Sequence, residues 1–153
     1  MRLYQFAKIV ARAFPTKSDL NNKWIYYPDT VVVVNVSQKE DKEVQEEIIK
    51  RGADYYHFPL QEEVADIGWV NVLKAVSILL KYDKMKRPMF VHCDCGNHRS
   101  RLVIEAFHFA KFGVHFFDEY KGFDNHLIYD SEIGHLPQLK EIELNLREIQ
   151  ISH

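Results

Sequence analysis

The chain has 153 residues, of which 46% are hydrophobic and 27% charged, and its formal net charge is −2. This length and apolar fraction suffice for one domain with its own core, and we expect residues 1–153 to form it. The small negative charge gives no basic field for nucleic acid or an anionic membrane surface. No apolar run approaches a membrane span and the N-terminus lacks a signal-peptide apolar region, so we expect a cytoplasmic protein bound to neither.

The N-terminal part of the chain predicts two strands separated by a less regular segment. Residues 3–13 fit a strand near a sheet edge, closed by Phe14 and Pro15. Residues 16–22 fit a short capped helix or a loop. Residues 30–36 are rich in valine, and such a run is typical of a strand buried inside a parallel sheet.

Two helices and a short strand are predicted next. Residues 40–51 form a charged amphipathic pattern that ends at Gly52, a common helix terminator. Residues 54–58 fit a short strand, which Pro59 ends. Residues 68–82 carry apolar side chains at helical spacing and predict a second helix.

A further strand and two helices complete the pattern. Residues 89–91 form a short apolar run after a Lys-Arg-Pro boundary, which suits a buried strand. Apolar residues recur at helical spacing over 100–110, with Ser100 as the expected N-cap, and again over 139–149. The alternation of strands and helices predicts an α/β fold with a central, mainly parallel sheet flanked by helices.

The loop between the strand at 89–91 and the helix that follows it carries the candidate catalytic residues. Five residues separate Cys93 from Arg99, and Gly96 between them allows a tight turn whose N–H groups point at one anion. Arg99 can hold two phosphate oxygens with its planar fork, and Cys93 can then lie beneath the phosphorus as a nucleophile. The helix N-terminus and Arg99 both favour the thiolate form of Cys93. The site would lie at the carboxyl end of a central strand, where such sheets bind ligands.

The pattern His92-Cys93-x-x-Gly96-x-x-Arg99-Ser100 resembles the signature loop of the cysteine-based protein tyrosine phosphatases, of the small dual-specificity type. The resemblance implies their fold, a phosphorylated protein or peptide as substrate, no cofactor, and a covalent phosphocysteine on Cys93. It further implies that Ser100 bonds the sulfur and helps it leave, and that His92 shapes the loop and biases Cys93 toward thiolate. Rhodanese-type sulfurtransferases are a more distant likeness, because they lack the His-Cys opening.

The residues expected to surround the phosphate are Asp94, Cys95, Gly96, Asn97, His98 and Arg99. Members of the resembled family that act on phosphoinositides usually carry lysines at the variable positions. Asp94 would repel such substrates, unless its side chain simply points to solvent. Cys95 fits a small filler of the loop wall better than a disulfide partner, because Cys93 is too close in sequence for normal disulfide geometry. His98 is either a rim residue that meets the substrate or an exposed loop histidine.

Ester cleavage also needs an acid that protonates the leaving oxygen. In the resembled family an Asp does this from a loop before the Cys, often three positions after a Pro that closes a strand. In this chain Glu62 stands at that position after Pro59, which departs from the usual Asp. Asp66 is the alternative acid, with Glu63 as a third candidate. Asp66 could instead be a helix N-cap, and the glutamates could be solvated loop charges.

Two function classes therefore remain open from the sequence. The first is a phosphatase that hydrolyses phosphotyrosine, with phosphoserine and phosphothreonine as further candidate substrates. The second is a phosphate-binding pseudophosphatase that acts as an interaction module because its acid is absent or misplaced. The intact Cys93, Arg99 and Ser100 favour the enzyme. The histidines outside the loop show no metal-ligand spacing, so we expect no metal, and the sequence indicates no oligomeric state.

Overall fold

The computed structural model describes residues 2–4, 7–16, 18, 32–61, 69–94 and 99–113, which form one sheet with helices on both faces. The strands are β1 (Arg2–Tyr4), β2 (Ile9–Arg12), β3 (Val32–Asn35), β4 (Asp54–His57) and β5 (Met89–His92). Their order in the sheet is β1-β2-β5-β3-β4. All neighbouring pairs are parallel except β1 and β2, which confirms the prediction of a mainly parallel sheet.

The N-terminal strand prediction was wrong in one respect, because residues 3–13 contain a hairpin. A turn at residues 7–8 reverses the chain, and β1 then pairs with β2 antiparallel, with Tyr4 opposite Ile9. On its other side β2 pairs with β5, so it lies inside the sheet. Pairing on both sides gives the backbone groups of β2 hydrogen-bond partners, and its Ile9 and Ala11 side chains are buried. The strand ends before Phe14 and Pro15, as predicted.

The two central strands are the most deeply buried part of the sheet. Every residue of β3 and of β5 is buried, which confirms that the valine run is a two-sided buried strand. Their registers place Asn35 of β3 directly beside His92 of β5. The carboxyl ends of these strands therefore meet at the same edge of the sheet, next to the loop that carries Cys93.

One helix covers the first face of the sheet. Helix α1 (Lys42–Lys50) is capped by Asp41, whose Oδ1 accepts from the Val44 backbone N–H at 3.1 Å. It buries Val44 and Ile48 against Val33 and Phe90 of the central strands. It ends before Gly52, whose φ of 91° is a conformation that glycine adopts without strain. The predicted helix over 40–51 is thus confirmed within two residues of each end.

Two helices cover the opposite face. Helix α2 (Trp69–Lys84) and helix α3 (Arg99–Phe112) pack against each other and against the sheet. Residues 99–110 of α3 are all buried, including charged ones, which is typical of a helix surrounded by protein. An ion pair between Lys111 Nζ and Asp83 Oδ2, at 2.9 Å, joins the ends of α2 and α3.

Two sequence predictions lie mainly or wholly outside the described residues, namely the short helix or loop over 16–22 and the helix over 139–149. Within the described part of the chain, no helix combines the length and apolar character that crossing a bilayer would require.

Candidate active site

Cys93 lies at the carboxyl end of β5, with an almost fully buried side chain whose sulfur is not in a disulfide. Its Sγ is 3.5 Å from Oγ of Ser100, within hydrogen-bond distance for sulfur. The chain leaves the sheet at Cys93 and returns beside it at the first turn of α3. The strand-loop-helix order that the sequence predicted is therefore present, and a hydroxyl from the helix lies beside the thiol.

The expectation that Ser100 is the N-cap of this helix was wrong. The helix begins at Arg99, so Ser100 is its second residue and has helical backbone geometry. An N-cap side chain must bond a backbone N–H of the following turn, whereas the Ser100 hydroxyl faces the sulfur of Cys93. Ser100 is therefore still near the start of the helix, but inside its first turn, and its hydroxyl contacts Cys93 and does not cap the helix.

Arg99 is buried beside the loop, with 2% of its surface exposed. Its Nη1 donates to the carbonyl oxygen of Leu60 at 3.3 Å, and its Nη2 donates to Oδ2 of Asp94 at 3.0 Å. A buried guanidinium needs such acceptors, because the loss of its hydration is costly. Both acceptors follow the carboxyl ends of strands, Leu60 after β4 and Asp94 after β5, and together they orient the planar fork of Arg99.

The Asp94 side chain reaches both the solvent and Arg99. Its side chain is 54% exposed, and yet its carboxylate forms an ion pair with Arg99. Its backbone carbonyl accepts from the Phe14 N–H at 3.1 Å, which fixes the start of the loop to the segment after β2. The carboxylate is therefore accessible to solvent and paired with Arg99 at the same time.

His92 is fully buried, and its ring packs edge-on against Phe14 with centroids 4.8 Å apart. Burial, with a smaller contribution from the charge of Arg12, lowers the pKa of His92 to about 3. The ring is therefore neutral at ordinary pH and supplies no positive charge to Cys93. Its contact with Phe14 supports the other implied role, that of shaping the start of the loop.

Asn35, which was not predicted from the sequence to have a role, organises the neighbouring loop. Its Nδ2 donates to the carbonyl oxygen of Lys39 at 2.9 Å and to the hydroxyl of Tyr55 at 3.0 Å. Its Oδ1 accepts from the backbone N–H of Ser37 at 2.9 Å and from the Ser37 hydroxyl at 2.7 Å. The sequence does contain an indication of this role, because a single asparagine in a buried valine run needs polar partners.

This network brings a cation close to the loop. With its backbone carbonyl bonded to Asn35, Lys39 has its Nζ 4.5 Å from the centre of the Phe14 ring. Phe14 itself contacts His92 and bonds the backbone of Asp94. The segments after β2 and β3 therefore meet beside the end of β5.

A chain of backbone hydrogen bonds crosses the same edge of the sheet. Val36 N donates to His92 O at 2.9 Å, and Leu60 N donates to Val36 O at 3.1 Å. The Leu60 carbonyl in turn accepts from Arg99. The segments that follow β3, β4 and β5 are thereby connected to the first residue of α3.

Several predicted site residues lie outside the described residues. They are Glu62, Glu63, Asp66, Cys95, Gly96, Asn97 and His98. The structure does describe Pro59, which precedes the candidate acids, and its carbonyl accepts from Asn71 Nδ2 of α2 at 2.8 Å. Among the described residues, no group of His, Cys, Asp and Glu side chains could hold a metal ion.

Several solved structures superpose on nearly the whole chain although their sequence identity to it is low. No protein-family profile and no curated protein sequence matches the chain. A variant of Tk-PTP superposes with a TM-score of 0.66 at 18% identity, covering 96% of this chain and 93% of that one. PTPMT1 gives a TM-score of 0.64 at 16% identity, with 95% of both chains covered.

A third similar structure is a variant of TpbA from P. aeruginosa in complex with pTyr. Its TM-score is 0.65 at 16% identity, and the alignment covers 94% of this chain and 89% of that one. At such low sequence identities the similarity establishes only a shared fold. That fold is the one expected from the resemblance of the signature loop. The chain has the fold of the cysteine-based protein tyrosine phosphatases.

Proposed function

We propose that this protein is a phosphatase that hydrolyses phosphotyrosine in proteins or peptides through a phosphocysteine intermediate on Cys93. The observation that carries the proposal is the position of the buried Cys93 Sγ, 3.5 Å from the Ser100 hydroxyl. Arg99 precedes Ser100 directly in the chain and is held at the same edge of the sheet. A nucleophile, a phosphate ligand and a donor for the leaving sulfur thus come from one loop and its helix.

In the first step the Cys93 thiolate attacks the phosphorus. An S–P bond forms, the P–O bond to the tyrosyl oxygen breaks, and Arg99 stabilises the charge on the equatorial oxygens. The departing oxygen takes a proton from a carboxylic acid, for which Glu62 and Asp66 remain the candidates and Glu63 the third. The dephosphorylated protein or peptide leaves with its tyrosine hydroxyl restored, and the phosphoryl group stays on the sulfur.

In the second step water attacks the phosphocysteine. The S–P bond breaks, inorganic phosphate forms, and the sulfur leaves as a thiolate that the Ser100 hydroxyl stabilises by donating a hydrogen bond. The carboxylate that lost its proton in the first step accepts one from the attacking water. The enzyme thereby returns to its starting protonation state.

The structurally similar proteins differ in their ligands. TpbA was crystallised with pTyr, PTPMT1 with PI(5)P, and Siw14 from S. cerevisiae is described as a PP-IP phosphatase. The half-exposed carboxylate of Asp94 beside Arg99 favours a substrate with a single phosphate, such as phosphotyrosine, over inositol ligands that carry additional phosphates. Additional phosphates next to a carboxylate would be repelled by its charge. We therefore assign a phosphorylated protein or peptide as the substrate.

The test is acid quenching of the protein during turnover of a phosphotyrosine peptide, followed by mass spectrometry. We expect one phosphoryl adduct on the peptide that contains Cys93. Cys93→Ser should give no adduct and no turnover while still binding the phosphopeptide. Sustained hydrolysis by Cys93→Ser would rule out the mechanism. Binding without turnover by the wild-type protein would instead identify a phosphate-binding module.

A further inference from the structure

We propose that the Asp94 carboxylate, which pairs with Arg99, competes with the incoming phosphate for the guanidinium. This inference rests on the proposed function, because it concerns the same loop. The ion pair joins Asp94 Oδ2 to Arg99 Nη2 at 3.0 Å, and the two residues flank the loop that would surround the phosphate. A carboxylate and a phosphate accept the same N–H groups of a guanidinium, so a phosphate that accepts from the Nη2 N–H bonded to Asp94 must displace that carboxylate.

The contacts of Arg99 with Leu60 and with Asp94 differ in how easily they can be broken. The Leu60 acceptor is a backbone carbonyl in a residue whose side chain is fully buried and whose N–H bonds Val36. The Asp94 acceptor is a side chain with 54% of its surface exposed. Asp94 can therefore leave by rotating its side chain into water, whereas Leu60 would have to move with the chain around it.

The backbone of Asp94 need not move during this exchange. Its carbonyl is fixed by the Phe14 N–H at 3.1 Å, and Phe14 packs against the buried ring of His92. Breaking this ion pair therefore requires a change only at the Asp94 side chain, while the Leu60 contact keeps the guanidinium oriented. The carboxylate acts as an internal anion that weakens the binding of every phosphate-like ligand.

The charge of Asp94 is the property that matters in this proposal. Asp94→Asn removes the negative charge but keeps an oxygen that can accept from Arg99, whereas Asp94→Ala removes both. Both variants should bind an oxyanion more tightly, because both remove competition and repulsion. If Asp94 served mainly to orient Arg99, Asp94→Ala would bind more weakly than the wild type.

The experiment is calorimetric titration of the full chain with tungstate, an oxyanion with the shape and charge of phosphate. We expect both Asp94 variants to lower Kd about tenfold, a gain that reflects the removal of one close negative charge. The KM for an aryl phosphate and the inhibition constant of inorganic phosphate should fall by a similar factor.

The matched control is Glu47→Gln, which removes a carboxylate that lies 3.0 Å from Arg51 on the surface helix α1. Its Kd for tungstate should equal that of the wild type. Equal or weaker tungstate binding by Asp94→Asn would overturn the inference, and so would weaker binding by Asp94→Ala. The proposed phosphatase function is tested separately, by measuring phosphotyrosine turnover by the wild-type protein. Failure of the Asp94 inference is therefore distinguishable from failure of the proposed function.

Discussion

The guanidinium of Arg99 donates to the carbonyl oxygen of Leu60 at 3.3 Å. The arginine expected to hold the phosphate is thereby bonded to the segment that leads into the candidate acids. Leu60 is fixed in turn by a buried side chain and by its N–H bond to Val36. Arg99 and the residue that precedes the segment with the candidate acids are thus held together through backbone groups.

Arg99→Lys should lower kcat for a phosphotyrosine peptide by about 10²–10³, the effect of losing one well-placed donor to the developing charge. Lysine carries a positive charge but lacks the planar fork that reaches two acceptors at once. The measurement is steady-state kinetics. Arg51→Lys, at the C-cap of α1, is the control and should match the wild type. Wild-type kinetics in Arg99→Lys would show that charge alone suffices at this position.

Ser100→Ala should slow hydrolysis of the phosphocysteine by about 10- to 100-fold, because a hydrogen bond to a charged group contributes roughly 1.5–3 kcal/mol. The first chemical step should change less, since the sulfur is then the attacking group. Rapid-quench kinetics on an activated aryl phosphate should therefore show a burst of phenol and an accumulated phosphoenzyme.

The control for this variant is Ser77→Ala, which removes an exposed hydroxyl on α2 and should leave both steps unchanged. If Ser100→Ala slows phosphoenzyme formation as strongly as its hydrolysis, the hydroxyl acts on the attacking thiolate, contrary to the assigned role.

Glu62→Gln and Asp66→Asn distinguish the candidate acids. The variant that removes the true acid should lose about 10²–10⁴ in phosphotyrosine turnover and lose the fall in rate at high pH. An activated aryl phosphate should be hydrolysed nearly as before, because its leaving group needs little protonation. The measurement is the pH–rate profile on both substrates. If neither variant changes the phosphotyrosine profile, Glu63→Gln is the next variant to measure.

His92 should make the folded protein less stable in acid. Its pKa is about 3 when folded and about 6.5 in an unfolded chain, so the unfolded state binds the extra proton between these values. The contribution is fully present above about pH 6.5 and is lost as the pH falls toward 3, by at most about 5 kcal/mol. Urea unfolding at several pH values measures this loss.

His92→Gln removes the titrating ring and leaves the other ionisable groups in place. Its free energy of unfolding should therefore fall less steeply than that of the wild type between pH 6.5 and pH 4. Parallel curves for the two proteins would mean that His92 is not buried in its neutral form.

The sequence by itself determined the alternation of strands and helices and the strand-loop-helix context of Cys93. Those features depend on local patterns, namely the valine run of β3, the apolar period of α2 and the stop at Gly52. The likeness of the signature loop to one phosphatase family was also legible, because it requires only residue types at fixed spacing.

The tertiary structure decided what depends on contacts between distant segments. The hairpin that puts β2 inside the sheet requires two partner strands, and the Arg99 contact joins residues 39 positions apart. The ion pair between Asp94 and Arg99 could not be predicted from the sequence either, because residue spacing alone does not determine whether a loop carboxylate faces solvent or a cation. Local propensity acts over a few residues, whereas burial and pairing are set by the whole fold.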